Sequence, residues 1–127
     1  MYTPCGSEAE TVLDKTSKLT EEARGSFPAI RLRFLAGLPQ GSALFVRTTI
    51  RDGGVEESVF LAVDRIEDGQ VLGTLSSDIT RLASWNYGDP FGVSEDEIED
   101  WVILNPDGSE EGNIIGKWIE AFHAECP

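Results

Sequence analysis

Five carboxylates crowd one short stretch of this chain: Glu95, Asp96, Glu97, Glu99 and Asp100. Carboxylates at that density suit three chemistries. They can converge on a hard divalent cation, work as a paired acid and base, or present an anionic surface to a cationic partner. The spacing favours none of these over a plain solvated acidic surface. Neighbouring residues on one turn point in different directions, and the calcium-loop pattern with its central glycine is absent. A second run of oxygens, Asn105-Asp107-Ser109-Glu111, is interrupted by Pro106 and Gly108, so a hairpin turn is the simpler account. An acid–base pair needs a carboxyl in a cleft with a raised pKa, and spacing does not reveal one.

Sulfur and imidazole offer less. His123 is the only histidine, and Cys126 follows three residues later. The two would share a helix face as nucleophile and base, but they fall where chains fray. Cys5 and Cys126 read as reduced thiols, with a bridge between the termini as the alternative. No CxxC or cysteine–histidine cluster supplies the converging ligands that zinc needs. GxSxG, the phosphate-binding loop and the dinucleotide glycine fingerprint are also missing. The sequence therefore assigns no catalytic residue, no metal and no cofactor. Among aromatics, Trp101 and Trp118 read as core. Trp85, in a loop with Tyr87, is the best single candidate for an exposed anchor.

Charge narrows the partners. The net charge is −13. Residues 89–127 hold 11 of the 23 acids and only Lys117 of the 10 bases, a net of −10. Arg31, Arg33, Arg47, Arg51, Arg65 and Arg81 all lie earlier. Such a field repels nucleic-acid phosphates and attracts a cationic surface, or simply keeps the protein in solution. No apolar run approaches the length of a membrane span, and residues 1–6 lack a signal-peptide pattern, so the expectation is a cytoplasmic protein.

The elements that position these groups follow from periodicity. The 127 residues suit a single domain, with residues 1–6 and 125–127 frayed. Ser7-Glu8-Ala9-Glu10 has the form of a capping box, and Ala9, Val12, Leu13, Thr16 and Ala23 follow at helical spacing up to Gly25. Pro28 then opens a second helix carrying Phe27, Ile30, Phe34 and Leu38. Ile30 to Phe34 also alternates like a strand, but length and the proline favour helix. Ala43–Arg51, Glu57–Ile66 and Val71–Leu75 are strands joined by Asp52-Gly53-Gly54 and Glu67-Asp68-Gly69 turns. Ser76–Gly88 is a connection packed by Ile79, Leu82, Trp85 and Tyr87. Phe91–Val93 is extended, Ser94-Glu95-Asp96-Glu97 makes one helical turn, and Trp101–Leu104 is a strand. Ile114, Ile115, Trp118, Ile119 and Phe122 form the stripe of a final helix. The expected class is α+β: an antiparallel meander of about four to five strands packed against N-terminal helices and a C-terminal helix.

An ordered set of these features resembles the YegJ-like family of uncharacterised bacterial proteins, a domain of unknown function. It runs from a helix containing Phe34, through Phe45-Val46-Arg47 and Asp52-Gly53, to Glu57–Leu61 and Asp68–Leu75. It ends in Gly88-Asp89, Glu97-Ile98-Glu99-Asp100-Trp101, Gly108 and Gly112-Asn113, the most specific part. Ser58 and Phe60 depart from the histidine and tryptophan that the family tends to carry, which puts any site built on that histidine in doubt here. The resemblance implies a compact α+β domain with an antiparallel sheet and no established activity.

The reading that follows is a non-enzymatic interaction module. Its acidic C-terminal face would take a basic protein, for instance as an immunity-type inhibitor. The residues expected to touch the partner are Trp85, Tyr87, Asp89, Glu95, Asp96, Glu97, Glu99 and Asp100. Neither nucleic acid nor membrane is expected, and the chain would be a monomer or weak homodimer. The alternative is a small carboxylate-based hydrolase or metal-dependent enzyme.

Overall fold

A two-residue alternation builds the sheet. In the computed structural model, strand β1 (Ala43–Asp52) buries Leu44, Val46, Thr48 and Ile50 on one face. The turn at Gly53-Gly54 leads into β2 (Val55–Glu67), with Asp52 opposite Val55. β2 buries Val59 and Leu61, both odd-numbered, and then Ile66, which is even. The change of phase is made by a bulge between Val63 and Arg65, which turns Ile66 back to the core. Opposite it, Gly73 of β3 (Gln70–Leu75) lies so close that a Cβ would sit 1.9 Å from the Ala62 carbonyl oxygen. β4 (Pro90–Ser94) pairs with β3 and closes a four-strand meander.

The chain then leaves that edge. One 3-10 turn, Glu95–Glu97, carries it across to β5 (Asp100–Leu104), which pairs with the far side of β1. β6 (Glu110–Gly112) completes the antiparallel order β4-β3-β2-β1-β5-β6. The crossing is held in place by Thr48 Oγ1 donating to the Glu97 carbonyl at 3.0 Å, by Glu99 N donating to the Arg47 carbonyl at 2.8 Å, and by Ile98, which is wholly buried.

One helix, α1 (Ala9–Ala36), covers the core face of the sheet. The break expected at Gly25 and the fresh start at Pro28 do not occur. Leu19, Ala23, Phe27 and Ile30 are buried, with Phe34 packed against them, so both halves share one stripe. Burial of that stripe outweighs the roughly 3 kcal/mol that an interior proline costs a helix. Ser26 Oγ donates to the Ala23 carbonyl at 3.0 Å and accepts from the Trp101 indole at 2.9 Å, which ties α1 to β5. α2 (Ile114–Glu125) follows β6 and buries Ile115, while Trp118 is half-buried.

The structure describes the backbone of residues 9–125 and the side chains of residues 17–118 and of Ala121. The Ser7-Glu8 cap, Cys5, Cys126 and the side chain of His123 lie outside them. Among the described residues, no helix is long and apolar enough to cross a membrane. The α+β antiparallel architecture is as expected. Its sixth strand, β6, is three residues long, too short to show a periodicity of its own.

Candidate functional site

The five clustered carboxylates separate in space. Asp100 is 0% exposed and opens β5. Its Oδ1 accepts from Trp101 N at 2.9 Å and Ile114 N at 3.1 Å, and its Oδ2 accepts from Ile115 N at 2.8 Å. The carboxylate therefore caps α2, whose first amides have no helical partner. Asn113 N donates to the Trp101 carbonyl at 2.7 Å. Gly112 has φ 80°, and a Cβ there would lie 2.4 Å from that carbonyl and 2.5 Å from the Trp101 ring. Asp100-Trp101 and Gly112-Asn113 are thus one joint between β5, β6 and α2. Asp100 lies inside the protein, not on its anionic surface.

Glu95 and Asp96 do reach the surface, in different company from their sequence neighbours. Pairing of Gln70 with Ser94 brings the β2–β3 turn against the 3-10 segment, and Glu95 N donates to the Gly69 carbonyl at 3.0 Å. Ser94 Oγ accepts from Asp96 N at 3.3 Å and fixes the turn. From α1, Arg31 Nη1 donates to Glu95 Oε1. The result is a groove of about 560 Å³ between the C-terminal end of α1, the hairpin turn and the 3-10 segment. Glu67, Asp68, Glu95 and Asp96 line it against a single guanidinium, Arg31. Arg65 Nη1 approaches Glu67 from outside the groove at 3.7 Å. Leu35 forms one wall at 58% exposure. Glu67, Asp68 and Leu35 were not marked by sequence spacing. The only local signal was the Asp68-Gly69 turn, which does not say what the turn will touch.

The other expected residues scatter. Glu97 is exposed on the 3-10 turn. Glu99 is half-buried, accepts from Thr49 Oγ1 at 2.7 Å and lies 3.9 Å from Arg47 Nε. Asp89 Oδ2 accepts from Asn86 N at 2.8 Å, which makes it an organiser of its own turn. Trp85 is half-buried, edge-on to Phe91 with ring centroids 5.1 Å apart, so it packs rather than projects. Tyr87, expected to pack its loop as well as to meet a partner, is 68% exposed. The arginines of the first half interleave with the later acids: Arg31 with Glu95, Arg33 with Glu111, Arg47 with Glu99. The −10 of the last third is therefore partly neutralised, and the groove is where carboxylates outnumber their partners.

Three carboxyls outside the groove are held in their ionised form. Backbone amides of Thr80 and Arg81 hold the Glu57 carboxyl below its ordinary value. The Arg33 guanidinium and then Asn105 do the same for Glu111. For Asp107 the cause is the Ser109 hydroxyl and amide. Each shift keeps the group ionised, the reverse of what a general acid requires. Among the described residues, no three His, Cys, Asp or Glu side chains converge as a metal would need.

No family model, no curated protein and no solved structure matches this chain.

Proposed function

We propose that this protein is a non-enzymatic interaction module that takes a basic segment of a partner protein into the groove beside Arg31. The observation that carries the reading is the lining itself, with Glu67, Asp68, Glu95 and Asp96 in one concavity and the exposed Leu35 on its wall. Charge steers a cationic partner to the groove, and Leu35 adds apolar area for an anchor. An immunity-type inhibitor of a basic toxin is one concrete form of such a module. On this reading the protein works in the cytoplasm as a monomer or weak homodimer.

Pull-down from lysate with the native chain and with Asp68→Asn/Asp96→Asn tests this. Expected is a basic partner that is held at low salt, released at high salt and lost to the variant. A partner that survives high salt, or one that the variant retains, would refute the proposal.

A further inference from the structure

The face of the sheet turned away from α1 carries a second concavity, on different residues from the acidic groove. Phe45, Phe60, Val102 and Leu104 provide its apolar lining, and Asn113 with Gly116 at the start of α2 forms a wall. Its volume is about 330 Å³, within the range of small-ligand sites. The register gives it a direction. Arg47 pairs with Phe60, Phe45 with Val102, and Ala43 with Leu104. It therefore runs along β1 from Arg47 to Leu104, about 13 Å at the strand rise.

Its two polar ends differ. At one, Asn113 Nδ2 donates to Glu110 Oε1 at 3.1 Å, so those groups answer each other. At the other stands Arg47, with a side chain only 25% exposed. Its one ion partner among the described residues, Glu99, reaches Nε at 3.9 Å and spends its other oxygen on Thr49. The terminal nitrogens of Arg47 meet no acceptor among the described residues. A guanidinium whose paired donors meet no protein acceptor and stay open to solvent, at the head of an apolar channel, matches a planar anion with an apolar tail.

We infer that this concavity is a binding site for a small amphipathic carboxylate, with the carboxylate on Arg47 and the tail over Phe45 and Val102 toward Leu104. The net charge of −13 opposes an anion at long range. That repulsion is screened over about 10 Å at 0.1 M ionic strength, while a bidentate pair at Arg47 is not. The inference is independent of the acidic groove.

The probe is decanoate, titrated below its micelle-forming concentration into the ¹⁵N-labelled chain, with decan-1-ol as the neutral match. The expected result is amide shifts at Phe45, Arg47, Phe60, Val102 and Asn113, with decan-1-ol binding at least about tenfold more weakly. Arg47→Gln should weaken decanoate by a similar factor and leave decan-1-ol unchanged. Asp68→Asn/Asp96→Asn should leave both unchanged, which separates this site from the groove. Equal binding of the acid and the alcohol to the native chain, or shifts confined to other residues, would overturn the inference, and that comparison stands even if Arg47→Gln fails to fold.

Discussion

Asp96 and Asp100 lie four residues apart and have opposite fates. Asp100 is sealed in the joint between β5 and α2, where three backbone amides take its two oxygens. Asp96 is exposed in a groove where carboxylates outnumber guanidinium groups. Acid density along the chain therefore does not measure acid availability. A carboxylate that satisfies helix amides is structure, and one beside Asp68 and Glu67 is surface. The contrast is open to attack from both sides.

The largest effect is expected at the joint. Asp100→Ala leaves the first amides of α2 without their acceptor inside the protein and should cost about 3 kcal/mol. Thermal unfolding would then fall by on the order of 10 °C. Asp100→Asn, which keeps one acceptor oxygen, should lose about half as much. Circular dichroism melting checks both, and a loss below about 0.5 kcal/mol for the alanine variant would mean the cap is dispensable.

Next comes Gly112→Ala, which forces a side chain into a left-handed conformation against Trp101. A loss of more than about 2 kcal/mol is expected from strain and displaced indole together. Chemical denaturation measures it. An unchanged midpoint would show that the joint tolerates movement.

The groove should behave in the opposite way. Asp68→Asn/Asp96→Asn should change stability by no more than about 0.5 kcal/mol, because neither carboxylate is buried. Asparagine also accepts the positive φ of 50° at position 68. A large loss would place these acids with Asp100 as structural groups.

Acid titration gives the smallest and most diffuse effect. Glu57, Asp107 and Glu111 have folded-state values below their ordinary ones of 4.5, 3.8 and 4.5. Their contribution is present above those values and is lost as pH falls through the lower folded ones. Stability should therefore hold or rise slightly from pH 7 toward 5, as the charge of −13 diminishes, and fall below about pH 4. Arg33→Met should flatten the acid limb by removing the partner of Glu111. An unaltered limb would detach that pair from stability.

Much of the fold was legible because alternation and turn residues act locally. β1 and β3 and both tight turns follow from residue types alone. Three features were not legible, for physical reasons. Gly25 and Pro28 disfavour helix locally, and only the stripe from Leu19 to Phe34, buried against the sheet, overrides them. The crossing from β4 to β5 depends on non-local pairing of Asp100 with Arg47. The groove depends on Gln70 meeting Ser94, so Glu67 and Asp68 join Glu95 and Asp96 only after folding. The spacing did mark two of its four carboxylates, and it also marked Asp100 and Asp89, whose oxygens go to backbone amides.

The most direct measurement is a titration of an arginine- and leucine-containing peptide into the ¹⁵N-labelled native chain and the Asp68→Asn/Asp96→Asn variant at two salt concentrations. The expected result is shifts at Leu35, Glu67 to Gln70 and Ser94 to Asp96, weakened by salt and several-fold weaker in the variant. Equal affinity for both chains, or shifts confined to residues away from the groove, would contradict it.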